Sequence, residues 1–150
     1  MGFIGWTITI IVSLVLLKYF VLPYLKYRRQ SSQIEKILEC DMDNSVYRFS
    51  TKIAGVTFDN TDGSSRQRYL KKSSPSELLL MKREQDNPMD ENAIKLMKPN
   101  GKQLGYIPSK NAETLAIQMD NGTKFFAQIE QITGGDDKSY GANIKIFRVA

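Results

Sequence analysis

Apolar and polar residues divide the chain near residue 25. From Phe3 to Leu17 fifteen residues pass without a charge, and after Lys18 the apolar run resumes through Leu25. Its apolar side chains fall on every face of a helix instead of along one stripe, which separates it from the amphipathic helix of a soluble core. At about 1.5 Å per residue the run extends roughly 35 Å, enough to cross a hydrocarbon layer of about 30 Å with some tilt. Lys18 interrupts it, and its long stem is expected to snorkel toward the headgroups beside Lys26, Arg28 and Arg29, while Trp6, Tyr19, Tyr24 and Tyr27 suit the interfacial belts. A cleaved signal peptide would need a basic stretch before the run and a small-residue site after it, and the sequence has neither. Trp6 also stands where a myristoylation motif needs a hydroxyl. Residues 3–25 are therefore expected to be a transmembrane anchor.

Beyond the anchor the pattern turns polar. Residues 26–44 read as a basic juxtamembrane linker with a short helix, in which Ile34, Ile37 and Leu38 recur at helical spacing and Ser31 or Ser32 is available as a cap. From Ser45 the period changes to two: Tyr47, Phe49, Thr51 and Ile53 alternate with polar residues until Gly55. Further strands are expected at Glu77–Arg83, Ala93–Lys98, Gln103–Ile107, Lys124–Ile132 and Asn143–Val149, separated by Asn-Pro, Pro-Asn-Gly, Asn-Gly and Gly-Gly punctuation. Two helices interrupt them, a short basic one at Arg66–Lys72 and a second at Ser109–Met119. The second begins at Ser109 as N-cap, carries Ala112, Leu115, Ala116 and Met119 on one face, and stops at Asn121-Gly122. Residues 45–150 are thus expected to form one mainly β domain, a small barrel or sandwich of about six strands with two flanking helices, preceded by the one transmembrane helix.

Charge changes this picture in one respect. The formal charge of +5 suggests a nucleic-acid binder, but Lys18, Lys26, Arg28 and Arg29 precede residue 30 with no acid among them. Setting those four aside from the 21 basic residues leaves 17 against 16 acidic ones. The domain is close to neutral, which argues against a strongly electropositive groove and leaves room only for a local basic patch. Three of these, Lys26, Arg28 and Arg29, follow the span while nothing basic precedes it, so the N-terminus is expected outside and the domain in the cytoplasm.

Candidate chemistry is thin. There is no histidine, and Cys40 is the single cysteine. Cys/His zinc sites, Ser-His and Cys-His nucleophilic pairs and an intramolecular disulfide are excluded. Gly134-Gly135-Asp136-Asp137-Lys138-Ser139 lacks the glycine a phosphate loop needs before its lysine and reads better as a hairpin connection. The Asp86, Asp90 and Glu91 cluster fails as a calcium loop because Pro88 sits at the third ligand position. Ser-x-x-Lys does not occur. A non-enzymatic protein is expected, with no cofactor, no metal and no small-molecule substrate.

Three blocks in order carry a resemblance: 55–67 (Gly-Val-Thr-Phe-Asp-Asn-Thr-Asp-Gly-Ser-Ser-Arg-Gln), 86–94 (Asp-Asn-Pro-Met-Asp-Glu-Asn-Ala-Ile) and 104–108 (Leu-Gly-Tyr-Ile-Pro). Together they resemble the HIRAN domain, a module of some eukaryotic fork-remodelling helicases that also occurs alone or fused in bacteria and phages. The resemblance spans about Tyr47 to Val149, and its first block is similar to the bacterial form. It implies an OB-like β-barrel that captures single-stranded DNA by its 3′ end. By that resemblance Asp90 lies near the terminal hydroxyl, Phe58 offers a ring to the last bases, and Ala54, Gly55 and Asn87 line the same pocket. Met89 departs from the pattern, since the DNA-binding members place an aromatic residue after the proline, and base stacking on a ring contributes about 1–3 kcal/mol.

Each of these residues has a plainer use. Asn87, Asp90 and Asn92 can bond nearby backbone N–H groups as turn formers, and Phe58 can be a core ring. Arg66, Arg68, Lys71 and Lys72 can follow a phosphate backbone or simply solvate a helix face balanced by Asp59 and Asp62. Two functions follow as expectations. One is a membrane-tethered module for single-stranded DNA or DNA 3′ ends. The other is a non-catalytic adaptor that presents a groove or edge strand to a protein partner at the cytoplasmic membrane face.

Overall fold

The computed structural model describes the backbone of residues 2–150 and the side chains from Ile8 onward. Trp6, expected in an interfacial belt, has its side chain outside the described residues. The apolar segment forms helix α1 (Gly2–Leu16), a wider π-helical turn (Leu17–Val21) and helix α2 (Leu22–Asp43), running without a break. The wide turn has a local cause. Pro23 has no N–H to donate and its ring crowds the carbonyl four residues back, so the helix widens just ahead of it, where the Leu22 N–H reaches Leu17 O. From Ile8 to Asp43 the rod is long and apolar enough to cross a membrane, with a mean hydropathy of 2.1 over its most apolar stretch. Lys18 Nζ lies 5.6 Å from the Tyr19 ring centre.

The linker helix expected to start at a serine cap is instead the C-terminal half of this rod, and the Ser31 hydroxyl donates to Arg28 O within it. The reason is that no glycine or proline stands between Tyr24 and Asp43, and a change from apolar to polar composition does not end a helix. It ends at Asn44, whose N–H and side-chain amide cap the carbonyls of Asp41 and Cys40.

Six antiparallel strands follow: β1 (Ser45–Lys52), β2 (Leu78–Arg83), β3 (Ile94–Met97), β4 (Gln103–Tyr106), β5 (Phe125–Gly135) and β6 (Lys138–Val149), in the order β1-β6-β5-β2-β3-β4. The sheet curls into a half-barrel until its edges meet. Just past β1, Ala54 and Tyr106 exchange both backbone hydrogen bonds, at 2.8 and 3.0 Å. Gly105 permits that closure, because a Cβ there would collide with the Ala54 carbonyl and the Ile53 side chain. The β5–β6 connection is the expected hairpin, pairing Gly135 with Lys138.

The inner face holds the main core. Leu79, Ile94, Leu96, Leu104, Ile129, Ile144 and Ile146 pack there with Leu70 of α3 (Arg66–Lys71) and with Ala112, Leu115 and Ala116 of α4 (Ser109–Asp120). Ser109 is the first residue of α4 and not its cap. Pro108, with φ −57° and ψ 139°, precedes it, and its fixed φ sets the entry angle without a side-chain acceptor.

The outer face carries a second, smaller apolar layer. Phe125 and Ala127 belong to the inner core, so Phe126 points the other way. Its ring stacks on Phe147 at 5.2 Å, Tyr47 meets Phe147 edge-on at 5.9 Å, and α2 lies over this side with Leu38 buried. Two hydrogen bonds tie the helix down at its ends. The Tyr27 hydroxyl donates to Asn100 O at 2.6 Å, and the Ala150 N–H donates to Asn44 O at 2.9 Å.

Candidate nucleic-acid interface

The seam where Ala54 meets Tyr106 organises the three sequence blocks. Gly55 follows immediately in the left-handed region, φ +67°, which turns the chain out of the sheet into the 56–65 loop. A side chain at Gly55 would lie 3.2 Å from Arg66 Nη1 and 3.8 Å from the rings of both Phe58 and Tyr106. Those groups therefore converge on one patch of backbone. Gln67 staples the loop to the sheet: its amide donates to Val56 O and Tyr140 O, both at 2.8 Å, and its carbonyl accepts the Tyr140 N–H at 2.7 Å.

Arg66 is the buried strut of this loop. It is 6% exposed, its Nε donates to Asn60 Oδ1 at 2.6 Å, its Nη1 donates to Gly55 O at 2.8 Å, and its guanidinium lies 5.2 Å above the Tyr106 ring. The sequence leaves Arg66 between a phosphate contact and a solvated helix face, and in the structure its Nε and Nη1 are taken by the loop. A guanidinium presents a planar fork that matches several fixed acceptors, and here the loop itself supplies them. Arg68 and Lys71 of the same helix, and Lys72 just past its end, remain exposed, and the helix begins at a true cap, with Ser65 Oγ accepting the Arg68 N–H.

From Tyr106 the network continues into the second block. The Tyr106 hydroxyl donates to Glu84 Oε2 at 3.0 Å, the Asn87 amide donates to the same oxygen at 2.8 Å, and Lys95 pairs with Oε1. Partial burial would raise the Glu84 pKa, but these donors outweigh it and hold the carboxyl below its usual value. Asn87 in turn accepts the N–H groups of Met89 and Asp90, at 2.9 and 3.2 Å. Asp90 accepts the Asn92 N–H at 2.9 Å and the Ser109 hydroxyl at 3.4 Å. The turn-forming role weighed for Asn87 and Asp90 is thus present, and it fixes where the Asp90 carboxylate points.

Two side chains of the interface stand clear. Phe58 is 69% exposed and Met89 is 92% exposed, so Phe58 is not a core ring. Of the residues singled out in the sequence, Ala54, Gly55, Phe58 and Arg66 meet at the seam. Asn87, Met89 and Asp90 form the adjoining turn, joined to the seam through Glu84 and Tyr106. Asn60, Gln67, Glu84 and Tyr106 were not singled out. Tyr106 lies within the third block, whereas Glu84 stands outside all three, and apart from the Asn87 amide its partners are distant in the chain, 22 positions away at Tyr106 and across the sheet at Lys95. Among the described residues no group of acidic or cysteine side chains is arranged to hold a metal ion.

Comparison with known proteins fits this geometry. The rabbit (Oryctolagus cuniculus) helicase-like transcription factor is 43% identical over 68 residues, 45% of this chain, and the chain spans about 6% of that relative's length. A crystal structure of a protein from Lactobacillus plantarum shares the fold with a TM-score of 0.60 at 19% identity, over 69% of this chain and 94% of that one. The HLTF HIRAN domain in its DNA-bound conformation aligns with a TM-score of 0.46 at 22% identity, over 71% of this chain and 80% of that one. The family model of the HIRAN domain matches residues 46–147, and the chain belongs to that family.

Proposed function

We propose that this protein is a membrane-tethered module that holds single-stranded DNA, by preference at a free 3′ end, on the cytoplasmic face of the membrane. The observation that carries the reading is Phe58. An aromatic ring 69% exposed, on a loop braced by a buried arginine and beside a glycine that keeps the backbone open, is costly to leave in water and well placed to stack on a base. Family membership supports it, as does the HLTF HIRAN domain, which takes a DNA-bound conformation.

In this reading Phe58 stacks on the terminal base. The Asp90 carboxylate, which has about four acceptor positions and uses two within the protein, accepts the terminal 3′-hydroxyl. Arg68, Lys71 and Lys72 face the phosphates. No bond is made or broken, and no cofactor enters. The apolar helix supplies the tether, and Lys26, Arg28 and Arg29 after it favour a cytoplasmic domain. An adaptor for a protein partner is the second reading, favoured by Met89, since an exposed methionine suits adaptable protein contacts better than a fixed base platform.

The test is fluorescence anisotropy of the full chain in detergent micelles, at low salt, with labelled strands bearing a free or a phosphate-blocked 3′ end. Preference for the free hydroxyl, abolished in Asp90→Ala, together with a loss of about 1–3 kcal/mol in Phe58→Ala, is the expected result. Absent binding, or equal binding of both ends unaffected by Asp90→Ala, would give the adaptor reading first place.

A further inference from the structure

A cleft of about 340 Å³ opens between α2, strands β2 to β4 and the 60–64 loop. Three lysines line it. Lys82 and Lys95 are direct cross-strand partners in the β2–β3 ladder, an arrangement in which like charges repel. Lys95 is paired with Glu84, whereas Lys82 has no ion pair among the described residues. Lys102 joins them from the β3–β4 turn, its Nζ 5.2 Å from the Tyr69 ring centre. Gln103 lines the same cleft, and its Nε2 is a buried donor without an acceptor among the described residues. Two carboxylates oppose them: Glu84, paired with Lys95, and Asp62, whose Oδ1 accepts the backbone N–H and hydroxyl of Ser64. Three lysines against two carboxylates leave the cleft with a net positive charge, which suits an anion with several oxygens.

The position of the cleft identifies the anion. Tyr27 forms part of its wall, and the Tyr27 hydroxyl bonded to Asn100 O fixes the β3–β4 turn against the helix. Tyr27 stands two residues past Leu25, about 3 Å of helix rise beyond the apolar run. The headgroup layer on each side of a bilayer is about 5–7 Å deep. The β3–β4 turn is thus held beside Tyr27, and with the span ending at Leu25, as in the tethered reading, it would lie at the depth of the phosphates with Lys26, Arg28 and Arg29.

We propose that the cleft of Lys82, Lys95 and Lys102 takes the phosphate of an anionic phospholipid and lays the domain against the inner membrane surface. The inference rests on the membrane-tethered reading above and adds to it a second contact with the membrane, independent of the DNA interface.

The full chain, reconstituted in nanodiscs of phosphatidylcholine alone or with phosphatidylglycerol added, is followed by hydrogen exchange of the 98–103 segment, with vesicle flotation alongside. Phosphatidylglycerol is expected to slow exchange there by about fivefold for each lysine engaged. The Lys82→Gln/Lys102→Gln variant is expected to lose that protection while β5 and β6 exchange as in the unmodified protein, which shows that its fold is intact. Flotation with equal exchange in both lipids would overturn the inference and leave the tether standing. No flotation would overturn both. If glycerol phosphate in solution slows the segment as well as the lipid does, the cleft is a soluble-anion site and not a membrane contact. If single-stranded DNA slows it and phosphatidylglycerol does not, the lysines belong to nucleic-acid binding, and the inference fails.

Discussion

Replacing Arg66 by alanine separates two roles that a sequence alone cannot distinguish. If the side chain braces the 56–65 loop, the variant leaves Asn60 Oδ1 without its donor, leaves Gly55 O with only the longer 3.4 Å bond from the Phe58 N–H, and removes a cation from the Tyr106 face. Hydrogen bonds involving a charged group contribute about 1.5–3 kcal/mol each, and a cation over an aromatic ring about 0.5–2 kcal/mol. These terms share one side chain and are not additive, and Asn60 keeps its own bonds to Ser64 Oγ and Gln103 O. A net loss of about 3–4 kcal/mol is therefore expected for Arg66→Ala. In a domain of this size that lowers Tm by about 15 °C, read by circular dichroism of the full chain in detergent. Lys71→Ala, on the exposed side of the same helix, should stay within about 0.5 kcal/mol of the unmodified protein. The reasoning is refuted if Arg66→Ala melts like the unmodified protein and loses only its DNA affinity, for then Arg66 is a ligand contact and the loop holds itself.

Other outcomes follow from the same network. Met89→Tyr adds a ring at a position 92% exposed and should tighten single-strand binding by about 1–3 kcal/mol in anisotropy titrations; unchanged affinity would mean that this position does not face the strand. Glu84 has a folded pKa held below its usual 4.5, so its stabilisation is present above that value and is lost as pH falls through the lower folded pKa. Denaturation curves taken from about pH 6 down to about pH 3 should show a shallower acid loss in Glu84→Gln, which forfeits about 1–3 kcal/mol already at neutral pH; parallel pH profiles would exclude Glu84 as the titrating group. Leu38→Ala, at a site 3% exposed between α2 and the sheet, should cost about 2–5 kcal/mol and speed hydrogen exchange in β5 around Phe126. No change in β5 would mean that the helix does not cover that face.

Much of the β domain was legible because alternation survives wherever one face of a strand is buried and the other is wet. The strand expected at Asn143–Val149 appears within β6, and Ala142, Ile144 and Ile146 do alternate inward. Legibility failed where both faces are covered. Phe125, Phe126 and Ala127 form an unbroken apolar run, and only the placement of α2 explains why the middle ring is buried on the outside. It fails again at α2, because a shift in composition marks no boundary, whereas helices end at residues that cannot continue them. Within the candidate site, exposure was the unreadable quantity. Formal charge suggested that Arg66 faces solvent, and ring size alone left Phe58 between core and surface. Partners distant in the chain decided both.

The unbroken helix between the apolar segment and the first strand governs how far the domain can travel. A flexible tether over residues 26–43 would let it wander with a typical end-to-end distance of about 23 Å in any direction, whereas the helix holds those residues as a rod of about 27 Å. With only Asn44 between the rod and β1, the domain has no separate rotation to search with. In the membrane-tethered reading proposed above, height above the bilayer and the bearing of Phe58 are then set together, and the remaining freedom is sliding and spinning in the plane of the membrane. If the domain holds DNA ends as proposed, a strand end must bring its own flexibility to the encounter, and capture should depend on the length of its unpaired stretch more steeply than for the same domain on a loose leash.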